Sequence, residues 1–128
     1  QSGNVARLLF LIADAPPHEQ NLAKMLTQIQ NAKQAGITIY PLAASGVAEV
    51  AEYIMRIASV ITQGRYLFLT DDSGVGGSHA TPNSRCYVVT RLDQLISRVI
   101  ASELAGQRIE PTDIIRTVGQ YDQGRCIK

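Results

Sequence analysis

The chain opens with an unbroken apolar run, Leu8-Leu9-Phe10-Leu11-Ile12-Ala13, stopped at once by Asp14-Ala15-Pro16-Pro17-His18. A run of that length bounded by turn residues predicts a strand buried on both faces, as in parallel sheets. The period then changes. From Glu19 to Ala35, Leu22, Met25, Leu26, Ile29 and Ala32 recur at helical spacing, and Gly36 supplies a left-handed stop. Ile37 to Leu42 is β-branched and apolar, a second strand with Pro41 near its end. Past the Ser45-Gly46 break, Val47 to Thr62 predicts a second helix closed by Gly64. Its inward positions are Val50, Ala51, Ile54, Ala58 and Ile61. Tyr66-Leu67-Phe68-Leu69 is the third strand.

The remainder is less regular. Thr70 to Arg85 is polar and glycine-rich, a long loop, and Cys86 to Val89 is a short extended piece. Thr90 and Asp93 form a capping-box pattern ahead of a third helix. Leu92, Leu95, Ile96, Val99 and Ile100 are its apolar stripe, and Gly106 ends it. One more short helical pattern, Pro111 to Thr117, lies in the tail. Strands alternating with helices imply parallel pairing through right-handed crossovers, with helices over the sheet. The expected organisation is a tag remnant over 1–4, one α/β domain over 5–106, and a tail over 107–128 packed on it.

Composition narrows the choice only modestly. The 128 residues are enough for one domain with a sizeable core. Hydrophobic residues make up 45%, charged residues 18%, and the net charge is +1, so no field draws in nucleic acid or a membrane surface. No apolar segment reaches the roughly 18–20 residues that span a bilayer, so membrane insertion is not expected. Val5 to Ala13 leads into Asp-Ala-Pro-Pro rather than a small-residue cleavage site, and is not read as a signal peptide. Cys86 and Cys126 are too few for a disulfide framework and too far apart for a zinc motif. They stand either as separate thiols or as one bridge clipping the tail to the domain.

Taken together, three stretches resemble a von Willebrand factor A-type domain of the bacterial group. They are Leu11 to His18, Gly36 to Leu42, and Gln63 to Asp72, with Asp-Ala-Pro-Pro-His after a buried strand as the most specific part. The resemblance covers about residues 5 to 105 and implies a three-layer α/β/α, Rossmann-like, mostly parallel sheet. On that mapping the strands are the family's fourth, fifth and sixth, so the chain resembles the C-terminal half. Family members hold a divalent cation in a metal-ion-dependent adhesion site. It is built from an Asp-x-Ser-x-Ser motif, a threonine from a later loop, and an aspartate after the fourth strand. Asp14 matches the last of these; the other parts are expected before residue 1. The resemblance therefore implies no cofactor in this chain alone, and Mg²⁺ or Ca²⁺ only in a completed domain.

Magnesium demands near-octahedral oxygen coordination, which one aspartate does not provide. Asp14 reads equally as a solvated carboxylate or as a cap for the following helix. Asp71-Asp72-Ser73 also follows a strand and contains Asp-x-Ser, but Val75 stands at the fifth position. That loop reads as a secondary calcium candidate or as a solvated acidic turn. Its glycine spacing fits neither a phosphate loop nor a dinucleotide fingerprint. His18 and His79 have no evident catalytic partner, and Glu49 and Glu52 are expected on the exposed face of the second helix. No acid/base or nucleophile constellation is present, so an enzyme is not expected.

The expected function is a non-enzymatic protein-interaction module; the alternative is a structural self-assembly unit with no ligand. With the neighbouring strand missing, Leu8, Leu9, Phe10, Leu11 and Ile12 would expose an apolar, unpaired edge. The simplest resolution is a homodimer through this first strand, extending one sheet across both chains. A tail folding back as cover is a second route.

Overall fold

The computed structural model describes residues 5–44, 47–75, 79–123 and 125–127. The tag reading over 1–4, the Ser45-Gly46 break and the Gly76-Gly77-Ser78 part of the loop lie outside the described residues. Two units divide the chain, one ending at Leu69 and one beginning at Thr70.

The first unit is an α/β layer. Its strands are β1 (Arg7–Ala13), β2 (Ile37–Ala43) and β3 (Leu67–Phe68), in the order β1-β2-β3, all parallel. Register runs from Arg7 opposite Ile37 to Ala13 opposite Ala43, and Leu42 opposite Leu67. Helices α1 (Leu22–Gln34) and α2 (Glu49–Thr62) lie against each other and both against β2, so they share one face of the sheet. Ile29, Ile39 and Ala58 form the centre of that layer, with Leu11, Met25, Ala32 and Ile61 packed around it.

The burial differs from the expectation in an instructive way. β2, not β1, is the strand buried on both faces, and every residue of it from Ile39 to Ala43 is buried. Among the described residues β1 has one neighbouring strand, and none of its own residues is buried. Leu9 is 46% exposed and Ile12 65%. The helical stripes are also narrower than their spacing suggests. Only Ile29 is buried on α1, while Val50 on α2 faces solvent and Met55 takes the inward place.

Pro41 sits inside the central strand, where a proline ordinarily removes a ladder bond. The ladder explains its tolerance. Ala44 N–H donates to Ala13 C=O, and Leu69 N–H to Ala43 C=O. Odd-numbered residues of β2 therefore direct their backbone groups toward β3, which begins pairing only at Leu42. The N–H that Pro41 lacks would have pointed where no strand runs. Near that gap, Gly64 passes so close that a Cβ would collide with the Ile39 carbonyl oxygen. Gly64 is expected to close α2; the left-handed residue there is Gln63, at φ 62°, and Gly64 follows it with its N–H donating to the Ser59 carbonyl at 2.8 Å. Gly64 is glycine for want of space.

The second unit holds β4 (Tyr87–Val89), α3 (Leu92–Ala105), β5 (Arg116–Val118), β6 (Gln120–Asp122) and β7 (Arg125–Ile127). β4 pairs antiparallel with β5, and β6 with β7. The helical pattern expected over Pro111 to Thr117 is instead an irregular stretch running into β5, where β-branched Thr117 and Val118 suit a strand. Expected capping by Thr90 also fails. The N-cap is Arg91 with no side-chain cap bond, and Asp93 accepts from its neighbour Gln94 N–H. Leu92 N–H is satisfied by the Ser73 carbonyl instead. Along α3 only Val99 is buried, and Ile100 is exposed. Gly106 ends the helix at φ 67°, as its position suggested.

A disulfide joins Cys86, just before β4, to Cys126 in β7. Gly119, at φ 81°, leads from β5 to β6 against this bridge; a Cβ there would sit 2.6 Å from Cys86 Sγ.

Candidate functional site

The end of β1 places Asp14 one residue beyond the last ladder position, at the carboxyl edge of the parallel sheet. Its side chain is exposed, as is that of His18. The capping reading of Asp14 does not hold. A 3-10 turn over Glu19–Asn21 precedes α1, and the helix is capped at Asn21 without any side-chain bond. His18 contributes its carbonyl, which accepts Asn21 N–H at 2.8 Å.

The described residues do not fit a divalent cation. No group of three His, Cys, Asp or Glu side chains among them could hold one. Asp14 alone offers a single carboxylate where magnesium needs several oxygens.

The acidic loop of the second unit is already occupied by its own contacts. Asp71 Oδ1 accepts His79 N–H at 2.7 Å, and the His79 ring Nε2 lies 2.9 Å from the Val75 carbonyl. Asp72 Oδ2 accepts Arg116 Nε–H at 2.8 Å, a charge-assisted bond between loop and β5. That bond holds the Arg116 guanidinium above its usual pKa. Ser73 is buried, and its hydroxyl donates to the Val75 carbonyl at 3.2 Å. Asp71 and Ser73 close the turn, Asp72 ties it to β5, and the Ser73 carbonyl accepts Leu92 N–H at the start of α3; Arg116 and His79 are the partners that sequence spacing leaves invisible.

A polar cluster on the first unit was also not anticipated. Glu52 was expected to be exposed, yet only 15% of its side chain is. Arg56 bonds Glu52 Oε1 through Nε at 3.0 Å and Nη2 at 2.7 Å. The same guanidinium lies 4.6 Å from the centre of the Tyr66 ring, a cation–π contact. Burial, reinforced by the Glu52 charge and opposed by Arg56, pushes the Tyr66 hydroxyl up to about 12. Spacing of four along α2 could have suggested the Glu52–Arg56 pair. Tyr66, ten residues further on, could not be placed by periodicity.

A shallow open depression of about 500 Å³ in the second unit is lined by Arg85, Cys86, Gly119, Gln120 and Ile127. It gathers no carboxylate, histidine or free nucleophile.

The most distinctive surface is the free flank of β1. Ala13 directs its carbonyl to β2, so odd-numbered residues of β1 serve that ladder. Leu8, Phe10 and Ile12 consequently turn their N–H and C=O groups outward. No strand pairs with them among the described residues, and the tail's strands pair with β4 and with each other. Their side chains share the sheet face opposite α1 and α2, where the Phe10 and Tyr40 rings stack at 5.7 Å. Among the described residues no helix is long and apolar enough to cross a membrane.

Comparison with family models, curated proteins and solved structures gives no match.

Proposed function

We propose that the chain is a non-enzymatic protein-interaction module. In this reading it is a von Willebrand A-like half domain of three-layer α/β/α, Rossmann-like type, and its contact surface is the open edge of β1. One observation carries the proposal. Among the described residues no strand pairs with the outward backbone groups of Leu8, Phe10 and Ile12, an apolar row with neither charge nor proline between Leu8 and Ala13. Such an edge accepts an added strand, which is a common mode of peptide and protein recognition. The parallel order β1-β2-β3, with both helices on one face, supports the likeness to the C-terminal half of that family. Asp14 then marks the position of an adhesion-site ligand in a site that this chain leaves incomplete. Exposed Asp14 and His18 suit contact with a partner's polar groups rather than activation of a nucleophile.

Residue-resolved hydrogen exchange at low micromolar concentration tests the reading. In a monomeric sample the amides of Leu8, Phe10 and Ile12 are expected to exchange freely, while Leu9, Leu11 and Ala13 are protected by the β2 ladder. Protection of all six in a monomeric sample would mean the edge is already covered, and the reading would fall.

A further inference from the structure

We infer that the occupant of the β1 edge is a second copy of this chain, paired antiparallel about a two-fold axis at Phe10. The inference rests on the interaction-module reading and names its partner.

Hydrogen-bond geometry selects the register. A two-fold axis between antiparallel strands must be perpendicular to the sheet, so opposed residues point to the same face and share the same parity. The outward groups of β1 belong to Leu8, Phe10 and Ile12. Centred on Phe10, that residue exchanges both bonds with the partner's Phe10, and Leu8 does the same with the partner's Ile12. Symmetry completes the third pair. Every outward N–H and C=O of one strand then meets its complement on the other. Moving the centre to Leu9 or Leu11 leaves Ile12 or Leu8 opposite a residue outside β1.

Charge favours the same arrangement. Arg7 begins the strand and Asp14 follows its end. In this register Arg7, whose guanidinium donates to the Ala35 carbonyl of its own chain, lies opposite the partner's Ala13, and the two Arg7 residues stand at opposite ends of the seam. A parallel copy would place Arg7 beside Arg7 and Asp14 beside Asp14. Packing agrees as well. Leu9, 46% exposed, comes opposite the partner's Leu11, and Ile12, 65% exposed, opposite the partner's Leu8. The apolar row of Leu8, Phe10 and Ile12 becomes continuous across a sheet with β3 at each rim.

Sedimentation velocity of the whole chain over about 1–100 µM, with hydrogen exchange on the same samples, decides the matter. A dimer with Leu8, Phe10 and Ile12 amides protected is the expected result. Ile12→Pro deletes one outward N–H and spares the β2 ladder, so it is expected to give a folded monomer. Ile12→Lys places a charge on the exposed flank and is expected to raise the dissociation constant at least tenfold. It serves if the proline variant does not fold. A dimer unaffected by the lysine substitution overturns the proposal. So does a monomer at 100 µM with freely exchanging edge amides, though the open-edge reading survives that result. A monomer whose edge amides are protected overturns both.

Discussion

The hydroxyl of Thr62, in the last turn of α2, accepts the Ile39 N–H at 2.9 Å and donates to the Ala58 carbonyl at 2.8 Å. Ile39 belongs to the set of β2 residues that face β3, but β3 is two residues long and does not reach it. A helix side chain thus stands in for a missing strand. Both groups are buried, so the bond is made without competition from water.

Thr62→Val keeps the shape and removes the acceptor, leaving the Ile39 N–H buried and unpaired. The expected cost is about 1–3 kcal/mol. Chemical denaturation should show the midpoint falling at constant slope. Thr62→Ser, which retains the oxygen, should recover most of the loss.

Gly64→Ala addresses the same gap from the other side. The added methyl would drive into the Ile39 carbonyl, and backbone cannot swing aside as a flexible side chain does. A loss of about 3 kcal/mol is expected. Gly36→Ala is the contrast: space is open there apart from the end of Arg7, so its cost comes from the left-handed backbone alone and should be near 1 kcal/mol.

These residues also show what the sequence reveals and what it conceals. The three parallel strands and three helices follow from periodicity, because an apolar run of six and stripes at three and four residues leave few alternatives. Which strand is central does not follow. The run around Phe10 is as apolar as that around Tyr40, and only pairing places the first at the rim. The segment beyond Pro111 looked helical because proline starts helices, yet the pairing of Thr117 with Val88 outweighed that local preference. Asp14 was found by its place after a strand. The partners of Asp72 and Asp71, by contrast, come from 44 and 8 residues away, at separations no local pattern encodes.

Asp14 yields a prediction about metal. A single exposed carboxylate binds magnesium with a dissociation constant no tighter than about 10 mM, which at an equal concentration stabilises by only about 0.4 kcal/mol. Titrating Mg²⁺ or Mn²⁺ to that level should leave the thermal midpoint within about 2 °C of the untreated protein, and Asp14→Ala should behave alike to within that margin. A rise of several degrees that Asp14→Ala abolishes would mean that further ligands complete the site.

Tyr66 adds a pH dependence to the first unit on the alkaline side. Its hydroxyl is raised from 10.0 to about 12 by burial first and then by the Glu52 charge, against the opposing pull of Arg56. Below pH 10 both folded and unfolded chains keep the proton, and the contribution to stability is full. Between pH 10 and 12 the unfolded chain releases it while the folded one retains it, so stability falls as pH rises. Past about 12 the folded state must carry a phenolate beside Glu52, and the contribution is lost. Absorbance titration of the protein against Tyr66→Phe isolates this hydroxyl from the other tyrosines. Glu52→Gln should bring its midpoint down toward 10, and Arg56→Gln should move it higher still. A Tyr66 midpoint indifferent to both substitutions would mean that the cation–π contact and the carboxylate do not face the ring as described.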